Sequence, residues 1–497
     1  MSLEDLARYR RSVAYLESLL TLESERLVSK VDPSQPGGPI GLRRCRRLLA
    51  HLGNPQETLR FVHVTGTSGK GSVVRLVHSM LHEGGIRVGS YMSPHVTTTL
   101  ERIPLGGGFL PISHWVRAVE ALKPYIEREY REGPWGIPSY HELVLGIALS
   151  SFRDLGCQVV VLEVGIGGSL DSTNVIPSPL IAVVTDVGID HVELLGRDVR
   201  TIARDKAGII KPGTLAMVGA RREEALEEVL RQARTLDVPT WVLGDQIRVE
   251  QGAGTFDVVC PDGAVTGVRP GLVGAHQGRN AALAVAVAVH LRSLGLAGDD
   301  DSVRRGVARA FLPGRFEEVR LDGGQVLVMD IAHNVDKVRA AVDTWVRRHG
   351  DDGAVVVAVA GNKDLDGILG ALRMGFRKLV ATRPLGTFRK MAPPRLLARQ
   401  AAHFFPTVDL RLDPWDALLL ALRMGEGKVL ACGSTYLISE LRARFQEETV
   451  VLNQGQIAPL NGEYRLDASG SSNGCAHGPG STPSPDSSPY RERMRRS

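Results

Sequence analysis

The chain has 497 residues, more than one ordinary hydrophobic core accommodates, so two or three domains are expected. Hydrophobic residues account for 43% of it and charged residues for 23%, the balance of a soluble globular protein, and no apolar stretch is long enough to span a membrane. The net charge of +5 suits anionic ligands. Because basic residues alternate with acidic ones and form no aromatic-basic stripe, no nucleic-acid partner is expected.

The cysteines and the first residues bear on the compartment. Five cysteines are scattered along the chain without a C-x-x-C pair, which predicts reduced thiols rather than disulfides or a zinc site. The opening MSLED carries early acids and no apolar segment, so no secretory signal is expected. Both features predict a cytoplasmic protein.

In chain order, residues 1 to about 58 are predicted to form helices, interrupted by a proline-rich loop at 33–39. Strands and helices alternate from residue 61, and the apolar run 159–164 is typical of a strand covered on both faces. A second alternating series begins at 326. This pattern predicts an α/β fold with a mainly parallel sheet in each of two domains. The predicted domains are 1–312 and 313–450, and the Ser-, Gly- and Pro-rich tail 453–497 is predicted to be disordered.

Residues 61–72, FVHVTGTSGKGS, have the pattern of a strand, a glycine-rich turn and a helix start. Glycines let backbone N–H groups face an anion, Lys70 adds a positive charge, and the Ser72 hydroxyl can bind Mg²⁺. The hydroxyl stands one place later than in the ordinary P-loop pattern. A glycine-rich surface turn is the alternative, which the flanking strand and helix disfavour. The segment therefore predicts a phosphate-binding loop.

Polar residues follow the predicted strands at the edge where such sheets bind ligands. Glu163 ends a buried strand, and its simplest task is to hold Mg²⁺ against the phosphates, although a solvated strand-end carboxylate is the alternative. His191 follows the next strand, where a lone histidine is more often a hydrogen-bonded surface residue. Lys206 has the spacing of an ordinary surface lysine. These residue types leave the roles of His191 and Lys206 open.

Three further segments contain candidate residues, and two of them have two readings each. The polar residues around Asn280 open an apolar helix, where they either cap it or contact a base. Arg315 lies on a predicted linker, and either binds a phosphoryl group or forms a salt bridge between domains. Asp330 and His333 follow a strand of the second series.

Together these segments resemble the folylpolyglutamate synthase/dihydrofolate synthase family of the Mur ligase superfamily. The resemblance is colinear from about Tyr15 to Phe445. The matching segments are 52–55, 66–72, 93–95, 101–103, 162–168, 171–175, 190–191, 195–196, 206–212, 276–277, 280, 313–315, 330–334, 363–364, 433–434 and 436–437.

The resemblance implies a P-loop-type ATP-binding domain, a smaller Rossmann-like C-terminal domain that presents glutamate, and catalysis in the cleft between them. It assigns the ATP contacts to Gly66, Thr67, Gly69, Lys70, Gly71, Ser72, Asn280, Arg315 and Asp330. It assigns Mg²⁺ to Ser72, Ser93, Glu163, His191 and Lys206, the last carbamylated to hold a second ion. It implies catalytic roles for Lys70, Lys206 and His333.

The implied activity is ATP-dependent ligation of L-glutamate to folate through an acyl phosphate, by a monomer with ATP, Mg²⁺, folate or pteroate, and glutamate as its partners. Ligation to dihydropteroate is left open. The chain departs from the family pattern at Ser68, His141, Ser169 and the loop 96–100, which bear on the folate contacts. The alternatives are a Mur-type ligase for a different carboxylate, a catalytically silent paralogue that serves as a binding module, and a P-loop switch or motor.

Overall fold

A computed structural model describes residues 1–30, 38–252, 254–387, 389–466 and 472–474, so most of the proline-rich loop and the end of the tail lie outside the described residues. The chain divides into two compact units. Unit 1 comprises Met1–Leu312 and Glu448–Ala458, and unit 2 comprises the remainder. Within the described ranges, no helix combines the length and the apolar character needed to cross a membrane.

Unit 1 contains eleven strands and eleven helices in the described part of the chain. Its strands are β1 (Phe61–Thr65), β2 (Val88–Tyr91), β3 (Pro104–Leu105), β4 (Gly108–Phe109), β5 (Val159–Glu163), β6 (Ile181–Val184), β7 (Leu215–Val218), β8 (Thr240–Val242), β9 (Arg248–Gln251), β10 (Phe256–Cys260) and β11 (Gly263–Val268). Its helices are α1 (Leu3–Lys30), α2 (Gly38–His51), α3 (Lys70–Glu83), α4 (Ile112–Glu132), α5 (Tyr140–Asp154), α6 (Val192–Leu195), α7 (Val199–Ala207), α8 (Glu223–Thr235), α9 (Ala275–Ser293), α10 (Asp300–Arg309) and α16 (Glu448–Gln454).

The first eight strands of unit 1 form one sheet in the order β4-β3-β2-β5-β1-β6-β7-β8, parallel from β2 to β8. Every residue of β1, β5 and β6 is buried, as expected for strands covered on both faces. Alternate side chains pack against α3, α9 and α10 on one face. On the opposite face, α4 and α5 cover β2 and β5, and α7 and α8 cover β6 and β7. The antiparallel sheet β9–β11 packs onto the α9 and α10 side.

Unit 2 is a second α/β layer structure. Its strands are β12 (Glu317–Leu321), β13 (Val326–Met329), β14 (Ala354–Val357), β15 (Lys378–Ala381), β16 (Thr407–Leu410), β17 (Lys428–Cys432), β18 (Glu463–Leu466) and β19 (Ser472–Gly474). Its helices are α11 (Val335–His349), α12 (Leu365–Arg373), α13 (Pro394–Ala401), α14 (Pro414–Met424) and α15 (Thr435–Ala443). The sheet order is β16-β15-β14-β17-β13-β12-β18-β19, and the first five strands are parallel.

These sheets confirm the predicted α/β fold class, with a mainly parallel sheet in each unit. The beginning of the tail differs from the predicted disorder. Leu460 is buried, and β18 pairs in parallel with β12 in unit 2. The composition of residues 453–497 gave no sign of this, because the ordering comes from docking onto distant elements rather than from a core of the tail's own.

Candidate active site

The phosphate-binding candidate is the loop between β1 and α3. Gly69 caps α3 with a φ of 90°, in the left-handed region that favours glycine. The first N–H groups of an α-helix have no partner within it, so the N-terminus of α3 presents donors and the positive end of the helix dipole. The Lys70 ammonium folds back over this loop and donates to the Gly66 carbonyl at 2.9 Å. The geometry is that of an anion-binding turn.

Two positions of this loop must be glycine, because neighbouring side chains leave no room for a Cβ. A Cβ on Gly69 would overlap the side-chain oxygen of Asn280, and a Cβ on Gly66 would overlap the hydroxyl of Thr185. Asn280 is buried, and its amide donates to Gln277 at 2.9 Å. The predicted nucleotide residue Asn280 therefore lies directly against the turn.

Glu163 lies beside the same helix start. It ends β5, next to β1 in the sheet, and its side chain is buried. A Cβ on Gly71 would be 3.5 Å from both carboxylate oxygens, so the carboxylate faces the first turn of α3. The backbone N–H of Ser93 donates to it at 3.0 Å. The structure thus brings together the predicted metal residues Glu163 and Ser93 at the turn that contains Ser72.

The loop after β6 is bonded to the phosphate loop. The Asp186 carbonyl accepts the N–H groups of Thr67 and Ser68 at 2.8 and 3.3 Å. The Thr67 hydroxyl donates to the Gly188 carbonyl at 2.9 Å. His191 stands further along this loop in a left-handed conformation, with a φ of 52°, as the cap of α6. Thr67, predicted to bind phosphate, thus uses its side chain to join two loops.

Lys206 is buried in the last turn of α7, unlike the surface lysine that its spacing suggests. A Cβ on Gly168 would be 2.7 Å from the Lys206 carbonyl and 2.8 Å from its Cα, so the loop after β5 packs tightly on this turn. The Asp205 carbonyl accepts both the N–H and the hydroxyl of Ser169, at 2.9 and 2.8 Å. Packing against the loop that follows Glu163 brings Lys206 to the carboxyl edge of the sheet.

A group of polar residues lies beneath this loop, and the sequence analysis assigned it no catalytic, metal or nucleotide role. Asp171 accepts the N–H groups of Ile166 and Thr173 at 3.0 and 2.9 Å. His63 bonds the Thr173 hydroxyl at 2.9 Å, and burial lowers the pKa of His63 to about 3. His141 contacts the Tyr91 hydroxyl through Nδ1 at 2.8 Å. These bonds hold the loop after Glu163 in place.

The remaining predicted residues lie in unit 2, at the carboxyl end of β13. The Asp330 carboxylate accepts the N–H groups of Phe316 and Ala332 at 2.8 and 2.7 Å. Burial raises the pKa of Asp330, and the neighbouring Arg315 opposes that rise. His333 Nδ1 bonds the Ile331 carbonyl at 2.8 Å, while its Nε2 lies 3.4 Å from the Lys337 ammonium. Arg315, Asp330 and His333 thus form one cluster.

In total, the structure gathers two sets of the predicted residues. The first set lies in unit 1, at the β1–α3 turn and at the loop after β5, and comprises Ser72, Ser93, Glu163, Lys206 and Asn280. Arg315, Asp330 and His333 are gathered in unit 2. Thr185 and Lys337 were not predicted, because a hydroxyl bonded to backbone carbonyls and a lysine one helical turn from a histidine leave no distinctive spacing in a single sequence.

Comparison with known proteins agrees with this architecture. Residues 137–288 match the Mur ligase middle domain, and residues 314–434 match the glutamate ligase domain of Mur ligases. The dihydrofolate synthase/folylpolyglutamate synthase of Bacillus subtilis is 31% identical over 423 residues, which cover 82% of this chain and 95% of that protein. The enzyme of the same name from Mycobacterium tuberculosis is 33% identical, over 71% of this chain and 75% of its own.

Solved structures give the same result. The folylpolyglutamate synthase of Mycobacterium tuberculosis complexed with ADP and AMPPCP matches with a TM-score of 0.76 and 28% identity, over 88% of this chain and 99% of that one. Escherichia coli FolC in complex with DHPP and ADP matches with a TM-score of 0.73 and 27% identity, over 87% and 96%. The chain belongs to the folylpolyglutamate synthase/dihydrofolate synthase family, the ATP-dependent amide ligases of the Mur ligase superfamily.

Proposed function

We propose that this chain ligates L-glutamate to folate, with ATP supplying the energy through an acyl phosphate. The observation that carries the proposal is the position of Glu163. Its buried carboxylate faces the first turn of α3, where backbone N–H groups and Lys70 present positive charge. A carboxylate beside an anion-binding turn is the arrangement needed to hold a cation against bound phosphates.

The turn suits the phosphates of a nucleotide, which we propose to be ATP. Its phosphates would receive the free N–H groups at the N-terminus of α3, and the Lys70 ammonium would exchange the Gly66 carbonyl for a phosphate oxygen. Asn280, held by Gln277 against Gly69, would contact the nucleotide from α9. The complexes of the tuberculosis and Escherichia coli enzymes with ADP support this proposal.

The residues around Glu163 also fit Mg²⁺. Among the described residues, no group of three or more His, Cys, Asp and Glu side chains is arranged to hold a metal ion. Mg²⁺ often binds through one or two carboxylates together with substrate phosphates, so the single carboxylate at the turn suits it. Ser72, Ser93, Glu163 and His191 would bind Mg²⁺, and a carbamylated Lys206 would bind a second ion. Bound Mg²⁺ would supply positive charge that stabilises the transferring phosphoryl group.

A carbamylated Lys206 would account for a lysine at that position. Burial of a charged amine is costly, whereas addition of CO₂ to the neutral amine, with loss of a proton, gives a carboxylate that suits a cation. The close packing of Gly168 on Lys206 keeps this side chain at the edge of the sheet. Lys206→Ala is expected to abolish turnover and to be partly rescued by short-chain carboxylic acids.

Lys211→Ala is the matched control for this variant. Lys211 lies in the same segment, and its ammonium donates to the carbonyls of Asn174 and Ile176 at 3.1 and 2.6 Å. This control variant should keep its turnover while losing some stability. Full activity of Lys206→Ala would rule out the metal role.

The chemical steps follow from these groups. The acceptor carboxylate attacks the γ-phosphorus of ATP, which forms an acyl phosphate and releases ADP. The amine of glutamate then attacks the acyl carbon, and phosphate leaves. His333 bonds a carbonyl through Nδ1, so this nitrogen carries the proton and Nε2 is an acceptor, with the Lys337 ammonium 3.4 Å away. We assign His333 Nε2 to removal of a proton from the glutamate ammonium, with Asp330 and Arg315 as nucleotide contacts.

One assay tests the substrate assignment. Purified protein with ATP, Mg²⁺ and L-glutamate is offered tetrahydrofolate, dihydropteroate or a cell-wall precursor, and phosphate release and product mass are followed. Product with tetrahydrofolate is expected, and product with dihydropteroate would add the second activity in the relatives' names. Product with the cell-wall precursor alone would contradict the proposal in favour of a different Mur-type ligase. Size-exclusion chromatography tests the proposed monomer, and fractionation of cells tests the cytoplasmic location.

A further inference from the structure

The Thr185 hydroxyl connects the two ends of the phosphate loop. Thr185 follows β6 and is completely buried. Its hydroxyl lies 3.0 Å from the Thr65 carbonyl and 2.7 Å from the Ser68 carbonyl. Because a hydroxyl has one proton, we assign that proton to the shorter contact, with the Ser68 carbonyl. Its backbone N–H also donates to the Thr65 carbonyl, at 2.8 Å. One side chain therefore contacts the loop where it leaves β1 and again just before Gly69.

This contact sets the direction of a peptide group. In a planar trans peptide, the carbonyl and the N–H point in opposite directions. Because the Ser68 carbonyl is held toward Thr185, the N–H of Gly69 must point away from Thr185. The N–H groups of Thr67 and Ser68 are already bonded to the Asp186 carbonyl. Gly69 therefore supplies the first N–H after these two that is turned away from the β6 loop, and α3 starts at the next residue.

Gly66 provides the space that this arrangement needs. It has a φ of 148°, a conformation that residues with a side chain rarely adopt. A Cβ at Gly66 would occupy the position of the Thr185 hydroxyl. The glycine and the threonine thus fit together, and the second glycine, Gly69, turns the chain into α3.

We propose that Thr185 is a positioning residue for the nucleotide phosphates, which acts by holding the Ser68–Gly69 peptide with its N–H toward the bound anion. The inference rests on the proposed function, because it assumes that this turn binds ATP. Loss of the hydroxyl would leave the Ser68 carbonyl without its internal donor, and the peptide could then rotate and present an oxygen to the phosphates. Nucleotide affinity would fall, while the glutamate-binding step would not change.

The test compares Thr185→Val, which keeps the shape and removes the hydroxyl, with Thr185→Ser, which keeps the hydroxyl. Calorimetry measures the Kd for ADP with Mg²⁺, and steady-state kinetics measure the KM for ATP and for glutamate. Thr185→Val is expected to raise the ADP Kd and the ATP KM roughly tenfold, the effect of one lost hydrogen bond to a well-placed group. Thr185→Ser should remain within about twofold of the wild type, and the glutamate KM should stay constant in both.

The matched control is Thr214→Val. Thr214 is a buried threonine that precedes β7, and its hydroxyl donates to the Pro179 carbonyl at 2.8 Å. It should lose comparable stability and keep the wild-type ADP Kd. Thr185→Ala, whose smaller side chain strains no neighbour, serves as a second deletion of the hydroxyl if the valine variant does not fold.

The outcomes separate the inference from the proposed function. If the wild type binds ADP and folded Thr185→Val or Thr185→Ala binds it with the same Kd, the positioning role alone is overturned. Failure of the wild-type protein to bind ADP or ATP at all would overturn the proposed function and this inference with it. An equal loss of affinity in Thr214→Val would reduce the effect to general destabilisation and would also overturn the inference.

Discussion

Replacement of Gly69 by alanine should carry two separable costs. The first is conformational, because a φ of 90° is unfavourable for a residue with a Cβ, by about 1–2 kcal/mol. The second is steric, because the new Cβ would overlap the side-chain oxygen of Asn280. Asn280 can move only by giving up its bond to Gln277, at a further cost of about 1 kcal/mol. The expected total is about 2–3 kcal/mol of the free energy of unfolding.

Two variants separate these costs. Gly85→Ala, at the other end of α3, has a φ of 77° with no atom within 4 Å of the new Cβ, so it measures the conformational cost alone. In a background of Asn280→Ala, Gly69→Ala should cost no more than Gly85→Ala does, because the obstructing oxygen is gone. The coupling between Gly69→Ala and Asn280→Ala should therefore be about 1 kcal/mol.

Urea unfolding gives the free energies of unfolding of the wild type and the four variants, and calorimetry gives their affinity for ADP. Gly69→Ala is expected to lose nucleotide affinity by at least tenfold, while Gly85→Ala should keep it. Strictly additive costs of Gly69→Ala and Asn280→Ala would refute the steric argument, and wild-type ADP affinity in Gly69→Ala would refute the assignment of this turn to phosphate.

Three further results are expected. Glu317→Ala should lower the free energy of unfolding by about 3–5 kcal/mol, because the Arg442 side chain is 0% exposed and would lose the carboxylate that lies 3.1 Å away, while its bond to the neutral Gln446 side chain remains. Glu317→Leu with Arg442→Met should cost less in the same urea measurement, and a larger cost would contradict this explanation. Burial lowers the pKa of His78 from 6.5 to about 3, so between pH 6.5 and about 3 the unfolded chain binds more protons than the folded chain. The free energy of unfolding should therefore fall as the pH drops below about 6.5. His78→Gln should make this pH dependence less steep, and an unchanged slope would exclude His78 as its source. Gly168→Ala should lower kcat, because its Cβ would press on the backbone of the turn that bears Lys206; an unchanged kcat would show that this contact does not position the lysine.

Several strands could be predicted closely from the sequence. The predicted strand 159–164 matches β5 to within one residue, and the second series begins at 326, the first residue of β13, because nearly every residue in these strands is apolar and buried. The antiparallel strands β9–β11 were not predicted. In β9 and β11 most positions are not buried and do not alternate, and in β10 the burial alternates although the residues Val258–Cys260 are all apolar, so their pairing depends on packing against α9 and α10.

The candidate site was predictable where the chemistry lies in short motifs. The glycine turn with Lys70 and the strand-end Glu163 could be identified from residue types and position. Lys206 could not, because its spacing is that of a surface lysine and its burial results from the packing of a distant loop on α7. The function of Thr185 was equally hidden, since a hydroxyl bonded to two carbonyls has no counterpart in the local sequence.

The path of the C-terminal segment has a practical consequence for dissecting this enzyme. Helix α16 belongs to unit 1, where Glu448 pairs with Arg10 at 3.5 Å, Leu452 is buried and the Gly455 carbonyl accepts the Phe109 N–H at 2.7 Å. A fragment cut after Leu312 would lack this piece and expose the apolar surface beneath it. Expression of residues 1–312 alone should therefore yield a weakly folded product. A synthetic peptide of residues 448–458 added in trans should restore its stability, as in a split protein.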